Sequence, residues 1–245
     1  MVQTVKEPIA DNLTTIWGKF YTINPTPRVE KLRQRYLKTK NQVAIDIARL
    51  RTQSAKETEG EPRVIRQAKA FAAIVRGIPT NIYPDELFVG WLFSFPRGTE
   101  IPFNSLSQMA LWMENELDSL STRKSDPFLI TEEDKKVLRE EIYPYWKKHF
   151  YNPWIPPEAK KFGIENARLS ERVCHYVVNY EKVLQKGLLG VKQQAENRLN
   201  RLELMNPEDV KKVPFLEGVI IAMEAATEIG DRFAAKAKLQ GRVPF

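Results

Sequence analysis

Residues Pro62–Pro79, PRVIRQAKAFAAIVRGIP, give the clearest structural signal in the chain. Apolar side chains recur there every three or four residues, at Ile65, Ala68, Ala72 and Val75. This spacing places them on one face of a helix. The segment Gly60–Pro62 interrupts the pattern on one side, and Gly77 with Pro79 closes it on the other. The stretch therefore predicts a helix that buries one face.

Upstream of this helix, residues 1–27 have the pattern of a loosely ordered lead-in. It ends at Asn24–Pro27 (NPTP), a signal for the start of a helix. Apolar residues then recur at intervals of three, four or seven, at Val29, Leu32, Tyr36, Val43, Ile47 and Leu50. The opposite face is charged, so we predict one long amphipathic helix that continues to the break at Gly60.

Downstream, the pattern changes between residues 79 and 103. Four prolines separate short aromatic and β-branched pieces such as Leu87–Leu92 (LFVGWL), which predict strands and turns. Helical spacing returns at Leu106, Met109, Met113, Leu117 and Leu120. Thr131 and Asp134 resemble a capping box, with Asp in place of the usual Glu or Gln, that opens a helix toward Trp146.

The last third of the chain is predicted to be helical after the proline-rich hinge Asn152–Pro157. One stripe runs through Val178, Leu184, Leu188, Val191, Ala195 and Leu202, and Gly187 and Gly190 predict close packing or a bend within it. Asn206 precedes Pro207 as a helix cap. A final helix is expected from about Pro214 to Lys238. Its apolar side, for which the sequence suggests no partner, consists of Phe215, Val219, Ala222, Ala226, Ile229 and Phe233. Together these patterns predict a mainly α fold with a few short strands.

Composition narrows the class of protein. The chain has 245 residues, of which 42% are hydrophobic and 28% charged, as in ordinary globular proteins. Lys and Arg number 38 against 31 Asp and Glu, but the signs are interspersed, so we do not expect nucleic-acid binding. No apolar run approaches the ~18 residues of a membrane span, and the start lacks a secretory pattern. We expect a cytoplasmic protein without a membrane partner.

Several kinds of chemistry are excluded by the residues themselves. The only cysteine, Cys174, and two histidines cannot form a Cys-rich zinc site or hold an iron–sulfur cluster. The glycines are few and never clustered, so there is no phosphate-binding loop, and no serine hydrolase spacing is present. Carboxylate groups at Glu132–Asp134 and Glu140–Glu141 suit a helix start and a helix surface. We expect the chain to bind no metal or cofactor.

The neighbours Cys174 and His175 are the one pair that suggests a nucleophile and its base. Adjacent residues point to opposite faces in a strand and lie ~100° apart in a helix, so adjacency alone does not make a dyad. We expect Cys174 to be a packed or surface thiol. For His175, which precedes the run Tyr176–Tyr180, two interpretations remain open: a cavity wall, or a side chain that holds a loop.

Several stretches occur in a specific order and spacing: Thr58–Pro62 (TEGEP), Ile82–Gly90 (IYPDELFVG), Glu116–Asp118 (ELD), Asp126–Ile130 (DPFLI), Ile142–Lys147 (IYPYWK) and segments within His175–Gly190. From about Arg28 to about Ala237, this combination resembles the amino-terminal portion of glycyl radical enzymes of the pyruvate formate-lyase-like group. The branches suggested are the dehydratases, the arylacetate decarboxylases and the arylalkylsuccinate synthases. The stretch Glu116–Ile130 is most similar to the last two.

The resemblance implies a fold, a cofactor and partners. The fold is the amino-terminal part of a ten-stranded α/β barrel, with residues 1–27 as a lead-in and 28–245 as the first part of the pyruvate formate-lyase-like domain. The family uses a protein glycyl radical, installed by a radical AdoMet activating enzyme, and passes it to a cysteine inside the barrel. The implied partners are the missing catalytic half or a second copy of the chain, together with the activating enzyme.

Two motifs of the family are absent from this sequence. They are a Cys-x-Glu loop, which carries the thiyl radical, and an Arg-Val-x-Gly-Tyr loop, which carries the glycyl radical. Tyr176 stands where the first would need Glu after Cys174, and Phe245 stands where the tail Gly241–Pro244 would need Gly. In several relatives the histidine at the position of His175 faces the substrate, so the resemblance implies a substrate-binding role for it.

These observations support two hypotheses of different classes. The first is the amino-terminal fragment or subunit of a glycyl radical lyase, which cleaves a C–C, C–N or C–O bond or decarboxylates a small organic substrate, and which is inactive alone. The alternative is a non-catalytic helical module that docks on a full-length relative or on its activating enzyme. A basic nucleic-acid binder is a third, less favoured interpretation. Anaerobic metabolism is the expected setting of the first.

Overall fold

The computed structural model describes residues 26–84, 86, 89–100, 112–149 and 179–241. The chain divides into two compact units, Met1–Thr39 and Lys40–Phe245. In the first, helix α1 spans Pro27–Lys38, and the Thr26 hydroxyl accepts a hydrogen bond from the Val29 N–H at 3.3 Å. The predicted start at the NPTP signal is therefore confirmed. The lead-in, residues 1–25, lies outside the described residues.

The single long helix predicted from residue 28 to Gly60 is wrong. It is two helices with a strand between them, because α1 ends at Lys38, β1 spans Asn41–Ala44 and α2 spans Asp46–Glu57. Thr39 closes α1 by donating its N–H to the Arg35 carbonyl. Val43 fits the helical stripe, but it belongs to the consecutive apolar run Val43–Ile45, which is typical of a strand buried on both faces.

Three short parallel strands form one sheet, in the order β2-β1-β3. Strand β2 spans Gly98–Glu100 and β3 spans Phe128–Leu129. Val43 pairs with Thr99, while Gln42 lies between Gly98 and Leu129. The strands predicted in residues 79–103 are thus present as β2, but residues 89–92 of the LFVGWL piece form no strand. Leu87 and Phe88 lie outside the described residues.

Helix α3 spans Arg63–Gly77, and the four residues predicted to face the core are the four that it buries: Ile65, Ala68, Ala72 and Val75. The prediction from the Pro62–Pro79 stretch is confirmed. Pro62 precedes the helix and Gly77 ends it, as the sequence signals indicated. Helix α3 packs on α2 and on the last helix of the chain.

The segment after β2 contains two π-helical turns, Trp112–Glu116 and Leu138–Ile142. The predicted helix through Met113, Leu117 and Leu120 is present only as the first turn, although all three side chains are buried. Leu106 and Met109 lie outside the described residues. The helix predicted from Thr131 is confirmed: α4 (Glu132–Val137), the second π turn and α5 (Tyr143–His149) follow one another without a break.

The carboxyl-terminal part of the chain is helical, as predicted. Helix α6 spans Tyr180–Leu199 and is kinked at Gly187, whose φ of 67° confirms the predicted bend. Helix α7 (Pro207–Val210) is capped by Asn206, and α8 spans Val213–Leu239. The hinge Asn152–Pro157 and Val178 lie outside the described residues.

Helix α8 has partners within the chain, which corrects the expectation that its apolar side has none. It packs on α3 and α6, and Ala225 is fully buried against Ala72 and Val75. The buried residues of α8 are Gly218, Ala225, Phe233 and Ala237. Phe215, which was predicted to share the buried face, is 60% exposed.

The larger core lies around the sheet. Its buried side chains come from β1, α2, the two π turns, the chain between them and α5: Val43, Ile45, Ala48, Ala55, Met113, Leu117, Leu120, Leu138, Ile142 and Trp146. The described part of the chain is therefore mainly helical with a small parallel sheet. None of its helices is both long and apolar enough to cross a membrane.

Candidate functional site

The residues that the sequence singled out lie outside the described structure. Cys174 and His175 fall between residues 149 and 179, and most of the tail Gly241–Phe245 lies beyond residue 241. Among the described residues, a ligand-binding site is expected at the carboxyl ends of the parallel strands, because α/β proteins bind ligands there.

Asp46 stands at the carboxyl end of β1, as the first residue of α2. A carboxylate in the first turn of a helix is stabilised by the unpaired N–H groups and by the helix dipole. The Ser94 hydroxyl donates to Asp46 Oδ2 at 2.5 Å, across a separation of 48 residues. Asp46, Asn81, Tyr83, Glu86 and Ser94 form a connected set of polar groups, which we call the Asp46 cluster.

Two side chains hold the Ser94 backbone in this cluster. The Tyr83 hydroxyl donates to the Ser94 carbonyl at 2.8 Å. Asn81 Nδ2 donates to the same carbonyl at 3.3 Å and to the Tyr83 hydroxyl at 3.4 Å. Glu86 accepts from the Tyr83 backbone N–H at 3.0 Å. The five groups are half-buried, so they combine hydrogen-bonding capacity with partial exclusion of water.

The electrostatics of the cluster favour a neutral phenol. Burial raises the pKa of Tyr83, and the carboxylates of Glu86 and Asp46 raise it further, while the hydrogen bond from Asn81 lowers it. At neutral pH the Tyr83 hydroxyl is therefore a hydrogen-bond donor and not a base. The cluster presents hydroxyl, amide and carboxylate groups, which suit the recognition of a small polar molecule by hydrogen bonding.

The loop that carries Ser94 makes close internal contacts just before β2 begins. Trp91 donates its indole N–H to the Phe95 carbonyl at 2.7 Å, and its ring meets that of Phe93 edge-on. A Cβ at Gly98 would lie 2.4 Å from the Phe93 Cβ, so only glycine fits this position without a shift of Phe93. Ser94 is thereby held in a defined place.

A second helix start contacts the first turn of α2. Thr131 caps α4 by accepting the Asp134 N–H at 3.0 Å, and Asp134 lies 4.0 Å from the Arg49 guanidinium. Because α2 follows β1 and α4 follows β3, this pair links the ends of two neighbouring strands. Glu132 pairs with Lys135 at 2.7 Å. Glu132 and Asp134 thus make structural contacts at the start of α4.

Sequence reasoning missed most of the cluster. Asp46 follows a four-residue strand whose apolar residues also fit a helical period, so the sequence pattern does not reveal its position at a strand end. Ser94 and Asn81 carry no local motif. Tyr83 and Glu86 belong to the stretch Ile82–Gly90, whose family resemblance does not indicate their hydrogen-bond partners. Among the described residues, no group of three or more His, Cys, Asp or Glu side chains is arranged to hold a metal ion.

Comparison with known proteins identifies the relatives of this chain. A family model described as pyruvate formate lyase-like matches residues 21–242. The isethionate sulfite-lyase of Oleidesulfovibrio alaskensis is 32% identical over 209 residues, which are 78% of this chain and 25% of the relative. The chain spans about a quarter of the length of the curated relatives that it matches.

Solved structures agree with the family match. The B12-independent glycerol dehydratase from Clostridium butyricum superposes with a TM-score of 0.75 at 32% identity, over 89% of this chain and 29% of the dehydratase. A glycyl radical enzyme from Archaeoglobus fulgidus gives a TM-score of 0.76 at 33% identity, over 87% of this chain and 28% of that enzyme. At 32% and 33% identity, these matches support membership of a common family as well as a shared fold.

Proposed function

The chain belongs to the pyruvate formate lyase-like family, and from that membership we propose that it forms the amino-terminal part of a glycyl radical lyase. The observation that carries the proposal is the family match over residues 21–242, together with relatives that are themselves glycyl radical enzymes. The resemblance found in the sequence is thus confirmed at the level of the family. The reaction of the whole protein belongs to the proposal.

The proposed reaction is an elimination from a short hydroxylated molecule. Two relatives support this class by their names: one is a glycerol dehydratase and the other an isethionate sulfite-lyase. Glycerol and isethionate both carry a hydroxyl group on a short carbon chain, and they lose water and sulfite, respectively. The hydroxyl and amide groups of the Asp46 cluster suit such a substrate, because each substrate hydroxyl needs a partner when it leaves water.

The Asp46 cluster is the described part of the proposed site. Its place at the carboxyl end of β1 supports this assignment, since the parallel strands β1, β2 and β3 would be the first strands of the barrel that the family resemblance implies. The proposed domain starts at about residue 28 and continues through residue 245. His175 is proposed as a substrate-binding residue from its match to the family alone.

Turnover requires two further loops in this proposal. The 245 residues contain neither Cys-x-Glu nor Arg-Val-x-Gly-Tyr, so the thiyl and glycyl radicals would be carried by other residues of the complete protein or by a partner subunit. A radical AdoMet activating enzyme would install the radical. The assembly would work in the cytoplasm under anoxic conditions. The alternative is a non-catalytic module that docks on a full-length relative or on its activating enzyme. Under this alternative, no catalytic half needs to be encoded together with the chain.

An anoxic turnover assay tests the proposed reaction. The native protein is isolated from its own cells without oxygen, activated, and given glycerol or isethionate separately, and the aldehyde and the released sulfite are measured. We expect product from a hydroxylated substrate only after activation, together with a glycyl radical signal in electron paramagnetic resonance. A signal without product from either compound would exclude this substrate class. Activation without a signal would contradict the assignment to glycyl radical chemistry.

The place of the cluster in the site is tested by a pair of carboxylate variants in the complete enzyme. Asp46→Asn keeps the shape of the side chain but weakens the charge-assisted hydrogen bond from Ser94. We expect it to raise KM. The matched control is Asp118→Asn, which changes a 74% exposed carboxylate paired with Arg139. Equal kinetics in the two variants would remove the cluster from the site.

A further inference from the structure

Helix α8 contacts the end of α3 through one arginine. Arg232 donates Nη1 to the Val75 carbonyl at 2.7 Å and Nη2 to the Ile78 carbonyl at 2.6 Å. The Val75 carbonyl needs this partner, because the residue four positions on is Pro79, which has no N–H. A cation at the carboxyl end of a helix is also favoured by the helix dipole.

Two more contacts from α8 hold the chain just beyond Ile78. Ile82 is 6% exposed and packs with Phe233 and Ala237. Gln240, at the end of α8, donates Nε2 to the Ile82 carbonyl at 3.4 Å. The segment Ile78–Ile82 is thus held by α8 at both of its ends, with only three residues between the two points.

This short segment leads directly into the Asp46 cluster. Asn81 lies within it, and Tyr83 follows it by one residue. Both side chains hold the Ser94 carbonyl. We infer that Arg232 is a positioning residue of the candidate site: it fixes Ile78 and thereby the places of Asn81 and Tyr83 beside Ser94. The inference rests on the proposed function, since that function gives the cluster its role in substrate binding.

An ion pair between the same two helices provides the contrast. Arg76 of α3 makes a bidentate pair with Glu228 of α8. Their side chains are 45% and 47% exposed, and neither bonds to the backbone of residues 78–82. Arg76 therefore joins the helices without reaching the segment. Loss of either arginine removes one cation from the α3–α8 pair, but only loss of Arg232 should affect the segment Ile78–Ile82.

The experiment compares Arg232→Gln, Arg232→Lys and Arg76→Gln in the full 245-residue chain. The first readout is amide hydrogen exchange of residues 78–84, and the second is the pKa of Tyr83, obtained by subtracting the tyrosinate titration of the matching Tyr83→Phe protein. Circular dichroism checks that each variant is folded. Lysine keeps the charge but lacks the two-pronged guanidinium that reaches both carbonyls, so it should act as a partial rescue.

We expect Arg232→Gln to raise exchange in residues 78–84 by about tenfold or more, because the segment loses one of its two anchors. The pKa of Tyr83 should fall toward its ordinary value, since burial is the main cause that raises it. Arg232→Lys should lie between this variant and the wild type, and Arg76→Gln should change neither readout. If Arg232→Gln unfolds, the lysine variant carries the test.

The possible results distinguish failure of the inference from failure of the proposed function. Unchanged exchange and an unchanged Tyr83 pKa in a folded Arg232 variant would show that Arg232 does not position the segment, whatever the turnover assay gives. The same would follow if Arg76→Gln moved both readouts equally. If the readouts moved but the complete enzyme with Arg232→Gln kept its KM, the segment would be positioned by Arg232 without belonging to a substrate site, and the proposed function of the cluster would fail instead.

Discussion

The core around the sheet and the interface between α3 and α8 are built on different principles. Around the sheet, large side chains such as Leu138 and Ile142 fill the interior and are at most 2% exposed. Between α3 and α8, small residues lie at the points of closest approach, with Ala225 against Ala72 and Gly218 near Ala68. Burial of large apolar side chains stabilises the sheet core, whereas small residues at the α3–α8 interface allow the two helices to approach closely.

The two regions position different parts of the candidate site. A core filled by large side chains fixes where β1 ends, and hence where Asp46 lies. The helix pair buries less apolar volume, and polar contacts from α8 supplement its packing. These contacts reach the segment that carries Asn81 and Tyr83. The sheet core therefore fixes the position of Asp46, and the contacts from α8 position Asn81 and Tyr83.

The largest effect is expected from a cavity in the sheet core. Leu138 is fully buried, so Leu138→Ala should lower the free energy of unfolding by about 2–5 kcal/mol, through lost apolar burial and an unfilled cavity. Urea unfolding followed by circular dichroism measures it. The control is Leu184→Ala, at a side chain that is 83% exposed. Similar losses in both variants would mean that Leu138 is not a core residue.

The next effect should come from overfilling the helix pair. Ala225 is fully buried where α3 and α8 approach, so Ala225→Leu should separate the helices and cost about 1–3 kcal/mol. Ala235→Leu, on an exposed position of the same helix, is the control. A stable Ala225→Leu protein would contradict the close approach, and the difference between the two regions would be lost.

A smaller effect is expected at the start of α4. Thr131→Ala removes the acceptor of the Asp134 N–H and should cost about 1 kcal/mol. Thr131→Ser keeps the hydroxyl and should keep most of the stability. Both are compared by urea unfolding. Equal losses for alanine and serine would show that the methyl group of Thr131, and not its hydroxyl, stabilises the helix.

The smallest effect is expected for Arg76→Gln, because its ion pair with Glu228 lies at the surface. Arg76 lowers the pKa of Glu228, so the pair contributes above the usual pKa of glutamate and is lost as the pH falls through the lowered pKa. The stability difference between the wild type and the variant should therefore shrink at acid pH. A difference that grows on acidification would contradict this sign.

The two regions also differ in how well the sequence predicted them. Helix α3, the kink at Gly187 and the caps at Thr131 and Asn206 depend on residues close together in the chain, and their signals were sufficient. Strand β1 was missed because a four-residue strand between two helices is stabilised by pairing with residues 98–100 and 128–129, which lie far along the chain. Short apolar runs do not distinguish a strand from a helix.

The candidate site was the least predictable part for the same reason. The hydrogen bond between Ser94 and Asp46 joins residues 48 positions apart, and Arg232 reaches Ile78 across 154. No periodicity or local motif encodes such contacts. Of the apolar side predicted for α8, Phe233 is buried but Phe215 is exposed, and the partner helix α3 was not predicted. The family resemblance gave the class of protein, and the contacts within the site required the fold.

The central claim, that this chain is part of a glycyl radical lyase, is tested most directly by native mass spectrometry of the protein isolated from its own cells without oxygen. The polypeptides of the native species are then sequenced. We predict a mass several-fold above 28.4 kDa, with a Cys-x-Glu loop and an Arg-Val-x-Gly-Tyr loop in the same or a tightly bound chain. A native species of 28.4 kDa, with no bound partner carrying these loops, would contradict the account.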